Sequence, residues 1–377
     1  MSAGTGTGSE DTPFSTRSAY VSVLSIGAGA VPFLTAAVKD ILDTLERWTG
    51  EGLRVATATV IKTERSAPRD AGAMLAVSER GEVAGSVTGG CVEPAVYEEA
   101  REVLAGGAPR LRTYGIADDE AFEVGLPCGG TVHIFVDLIE RDLILPLEAA
   151  IRDEKPVALE VKISGDGVGA KRLVGSADDG PAAELLSRGE TAIVETDDGE
   201  LFVNSFAPRP EMYVFGAVDH AAAVAQVGRF LGYRVTICDA RARFATKERF
   251  PDVDELVVEW PDRFLSQAPV DERTVICVLT HDHKFDVPLL KVALETPAGY
   301  IGAMGSRRTN EARTEQLKAE GVTDEQLARV KAPIGLDIGS RTPEEVAIAV
   351  AAEVVGTFRK TRKQEAVGAA GAATGSP

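Results

Sequence analysis

The stretch Gly85-Ser86-Val87-Thr88-Gly89-Gly90-Cys91-Val92-Glu93-Pro94 holds the residues best suited to chemistry. Gly89 and Gly90 permit positive φ and let a ligand come close to the backbone. Cys91 follows at once, just ahead of a helix expected to open near Pro94. Amide donors and a helix dipole at such a place favour a thiolate that can bind metal or sulfur. Glu93 opposes this unless it acts as a proton acceptor. The plainer alternative for Cys91 is a buried, inert cysteine in a tight turn. Pro127-Cys128-Gly129-Gly130 repeats the theme before a strand that carries His133. Two cysteines with paired glycines are harder to dismiss than one. Cys238 and Cys277 fall inside apolar strands and read as core packing.

Two further segments could hold an anion. In Gly302-Ala303-Met304-Gly305-Ser306-Arg307-Arg308, glycines end a strand, then Ser306 and Arg307 open a helix. That arrangement offers amides, a dipole and guanidinium to a phosphate; close strand–helix packing with exposed arginines is the alternative. In Gly216-Ala217-Val218-Asp219-His220, only the tight-turn glycine of a dinucleotide fingerprint remains, and Asp219 would repel a pyrophosphate. Asp239, at the end of the next strand, stands where an acidic residue meets a ribose hydroxyl. NAD(P) is therefore not expected, although an NAD(P)-dependent oxidoreductase is the rival enzyme reading. His220, His281 and His283 should emerge at the same sheet edge as Asp239, where they could ligate a metal or simply line a cleft. A metal-binding or thiol-redox module is thus a third reading.

These segments need elements to position them. Strands at about 54–62, 73–77, 83–87, 111–114 and 131–138, with helices at about 37–49 and 94–104, give an N-terminal α+β domain over 37–206. Ala207-Pro208-Arg209-Pro210 forms a stiff boundary. Beyond it, apolar strands at 212–215, 234–239, 255–258, 274–279 and 299–304 alternate with helical segments. That pattern is an α/β, Rossmann-like, doubly wound parallel sheet over 211–360. Thr342-Pro343-Glu344-Glu345 announces its last helix with a capping box. Residues 1–36 are expected as a flexible extension and 361–377 as a disordered tail.

The 377 residues carry 40 Lys and Arg against 58 Asp and Glu, a formal charge of −18, which disfavours nucleic acid as a partner. The uncharged run Ala19–Val38 contains Gly27, Gly29 and Pro32 and follows Glu10 and Asp11, so it reads neither as a signal peptide nor as a membrane span. Four cysteines without CxxC spacing cannot ligate several iron–sulfur clusters, and free thiols fit a reducing compartment.

Taken in order, these residues resemble the XdhC/CoxI family, accessory proteins of xanthine dehydrogenase and carbon monoxide dehydrogenase. The resemblance covers about 37–360. It rests on Ala67-Pro68-Arg69, Gly85–Glu93, Cys128-Gly129-Gly130, Phe215–His220, Cys238-Asp239-Ala240-Arg241, Thr280–Lys284, Gly302–Thr309 and Pro333–Glu345. Arg65, where the family often has glycine, and His283, where proline is common, depart from the pattern. The resemblance implies a cytoplasmic, non-catalytic maturation factor and homodimer. Such a protein binds molybdenum cofactor (molybdopterin) transiently, protects it while a cysteine desulfurase exchanges an oxo ligand for sulfur, and passes it to an apo molybdenum hydroxylase. Cys91 and Cys128 inherit the cofactor role, with Gly89, Gly90, Glu93, Gly129 and Gly130 around them. Gly216, Asp239, Gly305, Ser306 and Arg307 form the second half of the expected site. A name such as xanthine dehydrogenase would describe the client, since the chain lacks the length for flavin and molybdenum domains.

Overall fold

The computed structural model describes residues 23–29, 33–65, 69–115, 129–280 and 282–373. The chain starts with β1 (Val23–Gly29), α1 (Phe33–Gly50), β2 (Val55–Glu64), β3 (Met74–Ser78), β4 (Val83–Gly85) and α2 (Glu93–Leu104). It continues through β5 (Arg110–Tyr114), β6 (Thr131–Ile139), α3 (Arg141–Arg152), β7 (Val157–Lys162), β8 (Lys171–Gly175), α4 (Pro181–Arg188), β9 (Glu190–Thr196) and β10 (Gly199–Phe206). These strands form two antiparallel sheets, ordered β4-β3-β2-β6-β5 and β1-β9-β10-β7-β8.

The two sheets share one core. α1 buries Ile41, Leu42, Leu45 and Trp48, the apolar positions of its helical spacing. They pack with Ile144 and Leu147 of α3, Phe135 of β6, and Leu159 and Phe202 of the other sheet. Each such side chain contributes roughly 1.5–3 kcal/mol. β2 alternates: Ala56, Ala58 and Val60 turn instead to the opposite face, under Val96, Ala100 and Val103 of α2. A buried pair, Asp137 on β6 and Lys171 on β8, joins the sheets, and Thr57 Oγ1 donates to Asp137 Oδ1 at 3.1 Å.

The expected flexible extension over 1–36 requires correction. Val23–Gly29 is a strand that pairs antiparallel with β9, Val23 opposite Val194. Its uncharged, β-branched composition fits a half-buried strand. Residues 1–22 and 30–32 lie outside the described residues.

After Ala207–Pro210, β11 (Glu211–Phe215), α5 (Asp219–Phe230), β12 (Arg234–Cys238), β13 (Glu255–Val257), α6 (Pro261–Leu265) and β14 (Val275–Val278) follow. The remainder is α7 (His283–Glu295), β15 (Tyr300–Ala303), α8 (Arg307–Ala319), α9 (Asp324–Leu327), β16 (Val330–Lys331) and α10 (Pro343–Ala373). The strands pair in parallel, in the order β13-β12-β11-β14-β15-β16. This is the doubly wound, Rossmann-like sheet expected from the sequence, and its topology switches between β11 and β14. Thr342 and Glu345 cap α10 as anticipated: the Glu345 carboxylate accepts from Arg341 N at 2.7 Å and Thr342 N at 3.1 Å. The tail expected to be disordered from 361 instead continues α10 through Ala373; residues 374–377 lie outside the described residues. The boundary segment is pinned: Arg209 pairs with Glu154 and Asp254, and Pro208 O accepts from Arg273.

Candidate functional site

The strand registers gather the N-terminal candidates at one end of a sheet. Glu64 at the end of β2 lies opposite Thr131 at the start of β6, and Tyr114 at the end of β5 lies opposite Val132. Gly85 at the end of β4 faces Leu75 near the start of β3. The segments after β2, after β4 and before β6 therefore emerge together. They carry Arg65 and Arg69, the Cys91 loop, and Gly129-Gly130. Ala67, Pro68 and Cys128 lie outside the described residues. Gly129 has φ +74, and Gly130 is buried as β6 begins. Arg65 has φ +61, a left-handed conformation that favours glycine and accounts for the glycine common there in the resembling family. At the same edge, His133 Nδ1 lies 2.9 Å from Thr113 Oγ1, and its Nε2 lies 3.5 Å from Glu64.

The loop between β4 and α2 is folded around the carboxylate of Glu93. Oε1 accepts from Ser86 Oγ (2.6 Å), Val87 N (3.1 Å), Thr88 N (2.8 Å) and Gly89 N (2.9 Å). Oε2 accepts from Thr88 Oγ1 (2.7 Å), Gly90 N (2.8 Å) and Val92 N (3.2 Å). Cys91 N donates to Thr88 Oγ1 at 3.2 Å. Every amide from 87 to 92 thus ends inside the loop. Burial acts to raise the Glu93 pKa, but the Ser86 and Thr88 hydrogen bonds outweigh it and hold the carboxyl at about 2. Glu93 is therefore no proton acceptor at neutral pH, and the amides expected to serve a thiolate or a bound anion are already committed to it. Gly89 (φ +86) and Gly90 (φ +121) supply the backbone curvature, and a Cβ on either would meet open space. Cys91 itself is half-buried and packs against the core beneath α2.

At the switch between β11 and β14 the pattern recurs. Asp239 is 2% exposed, and its carboxylate accepts from Ala217 N (2.7 Å), Arg241 N (2.8 Å), Arg241 Nε (2.9 Å) and Arg241 Nη2 (2.7 Å). Burial opposes ionisation, yet Arg241 and the Ala217 amide keep the pKa lowered. Gly216 N donates to Cys238 O, and Val218 N to Gly216 O. The three turn amides are thus all occupied, and Asp239 is committed to internal partners at the position where a ribose contact was expected. A Cβ at Gly216 (φ +109) would fall 2.8 Å from Thr280 Cγ2, so this glycine serves close approach of β14. Arg249 closes the turn from outside, donating to Ala217 O and Asp219.

The opening of α8 differs. Ser306 Oγ caps the helix by accepting from Thr309 N at 3.1 Å, and Ser306, Arg307 and Arg308 are exposed. The first amides of a helix have no intrahelical acceptor, so this end retains donors for an anion. Gly305 has φ +143, and its carbonyl accepts from Asn310 Nδ2 at 3.0 Å. Behind it lies a buried network that sequence reasoning missed. Arg313 donates to Asp286 Oδ2 (2.6 Å), Asn310 Oδ1 (2.5 Å) and Met304 O (3.0 Å), and Thr280 bonds Asp286. These partners come from β14, α7 and α8, too far apart in sequence for any local motif to flag them.

Of the histidines, His220 is half-buried in the first turn of α5. His281 and the side chain of His283 lie outside the described residues. No cluster of three metal-ligating side chains occurs among the described residues. Burial pushes the Cys238 and Cys277 thiols up to about 12, as their place in the core requires.

The sequence pattern of the XdhC Rossmann domain matches residues 212–354, and that of the XdhC and CoxI family matches residues 48–115. The chain belongs to the XdhC/CoxI family. The first match contains the crevice at β11 and β14, the second contains the Cys91 loop, and Gly129-Gly130 falls between them. Among similar XdhC/CoxI relatives, a Bacillus subtilis protein described as a probable xanthine dehydrogenase subunit is 26% identical over 320 residues, 82% of this chain and 94% of the relative. The Escherichia coli "Molybdenum cofactor insertion chaperone PaoD" is 27% identical, over 85% of this chain and 89% of the relative. A Bacillus halodurans crystal structure described as a xanthine dehydrogenase aligns with a TM-score of 0.61 at 26% identity, covering 85% of this chain and 96% of that one. Among the described residues no helix is long and apolar enough to cross a membrane.

Proposed function

We propose that this chain binds molybdenum cofactor as cargo and takes part in maturing a molybdenum hydroxylase of the xanthine dehydrogenase or CO dehydrogenase type. In this reading it is a non-catalytic, cytoplasmic homodimer. It holds the cofactor transiently while a cysteine desulfurase exchanges an oxo ligand for sulfur, then delivers it to the apoenzyme. The observation that carries the reading is the Cys91 loop. A half-buried thiol stands on a backbone whose donors are all tied to Glu93. A rigid loop presents a soft sulfur, suited to molybdenum or its sulfido ligand, without offering a competing anion nest. Cys128 is the second proposed thiol. The exposed Ser306 and Arg307 suit the cofactor's phosphate.

Similarity to a protein named as a molybdenum cofactor insertion chaperone supports this reading over 85% of the chain. The NAD(P) alternative is disfavoured, because the turn amides that would hold a pyrophosphate are occupied. The test measures molybdenum together with oxidised-pterin fluorescence released from purified protein. Wild type is expected to carry both, and Cys91→Ala and Cys128→Ala to lose them and fail to activate the apoenzyme. Variants that keep the cofactor and still activate would refute the thiol role. Saturable NAD(P)H binding would favour the oxidoreductase.

A further inference from the structure

A cavity of about 380 Å³ lies between α7, α8, α9 and β16, on the far side of α8's first turns from the crevice. Leu290, Leu317, Leu327 and Val330 make its apolar wall, and Arg313 and Thr314 make its polar one. The volume falls within the range of small-molecule sites, about 300–1,000 Å³.

Arg313 decides what the cavity can take. Its side chain is only 3% exposed, and both Nη groups are fixed by Asn310, Asp286 and Met304. Nε is buried and has no partner among the described residues. A buried donor left without an acceptor costs about 1–3 kcal/mol, which an acceptor on a bound molecule recovers. That acceptor need not be charged. Asp286 already neutralises the guanidinium, and at the rim Arg307 is set against Glu311 and Glu315. A phosphate or carboxylate would therefore gain no net attraction and would lose hydration against four aliphatic side chains.

We propose that this cavity is a second ligand site. It takes a small, uncharged, largely apolar molecule whose carbonyl oxygen or ring nitrogen accepts from Arg313 Nε. The site does not depend on the cofactor reading. Its occupant would, however, touch the guanidinium that holds Met304 and, through Asp286, Thr280 at the crevice.

Crystals of the full chain soaked separately in 2-piperidone and in inorganic phosphate test the proposal, alongside NMR titrations of both probes. The expected result is 2-piperidone in the cavity with its oxygen about 3 Å from Nε, and no phosphate there. Because Arg313 variants can simply unfold, the companion variant is Thr314→Phe, which fills the cavity and leaves the Arg313 hydrogen bonds intact. It should weaken 2-piperidone binding at least about tenfold, or 1.4 kcal/mol. An empty cavity, a lactam oxygen turned away from Nε, phosphate in its place, or unchanged affinity in Thr314→Phe would each overturn the assignment.

Discussion

The Cys91 loop and the β11–α5 turn belong to unrelated sheets, yet each closes on a carboxylate supplied by the protein itself. In the first, Glu93 reaches back from the opening of its own helix and gathers seven donors, all within seven residues of sequence. In the second, Asp239 comes from a neighbouring strand and divides itself between one turn amide and Arg241. The first closure is local and sets the shape of a loop. The second is nonlocal and joins two strands through an ion pair. Both fill the place that a ligand's anion takes in nucleotide-binding loops. That leaves the exposed opening of α8 as the end with donors to offer.

Removing Glu93 should produce the largest effect. Glu93→Ala leaves buried and half-buried amides without an acceptor, and the expected loss is about 3–5 kcal/mol in urea unfolding, from several charge-assisted bonds acting together. The Cys91 thiol should also react faster with a disulfide reagent as the loop opens. Unchanged stability and thiol reactivity would mean that the carboxylate does not organise the loop.

Acid should separate this loop from the rest of the surface. The folded pKa of Glu93 lies at about 2, below its ordinary 4.5, so its contribution is complete above about 4.5 and drains away as pH falls towards 2. Asp239 is lowered in the same direction. Carboxyl-carbon NMR should find Glu93 titrating last among the glutamates. A midpoint near 4 would break the parallel between the two closures.

The glycines sharpen the contrast. Gly216→Ala combines positive φ with a Cβ 2.8 Å from Thr280 Cγ2, and should cost about 2–3 kcal/mol. Gly89→Ala meets open space and carries only the conformational penalty, about 1 kcal/mol. Equal losses in thermal unfolding would show that close packing at Gly216 is unimportant.

Legibility from sequence followed the range of the interactions. The parallel sheet could be read because its strands are continuous apolar runs between helices, and α10 because its cap is local. The Cys91 loop was located, but Glu93 was weighed as a base. The informative signal was a glutamate opening the helix behind Ser86, Thr88 and two glycines, a pattern suited to a carboxylate accepting from a loop. β1 was missed because its partner, β9, lies at the opposite end of the N-terminal region. Asp286 and Arg313 were missed because their pairing depends on how α7 and α8 stack. Periodicity does not encode such contacts.

The smallest effect expected is at Arg65, which borders the same sheet end as the Cys91 loop. A side chain at φ +61 costs roughly 1 kcal/mol, and Arg65→Gly removes that cost. Glycine gives back about 0.5–1 kcal/mol in unfolded-chain entropy, so the net change should lie within a few tenths of a kcal/mol, on the stabilising side. Chemical denaturation that resolves such a difference checks it. A loss above about 1 kcal/mol would mean that the Arg65 side chain holds a contact outweighing its backbone strain. In that event the segment after β2 would be fixed by side chains, as at Asp239, and not by backbone geometry, as at Gly89 and Gly90.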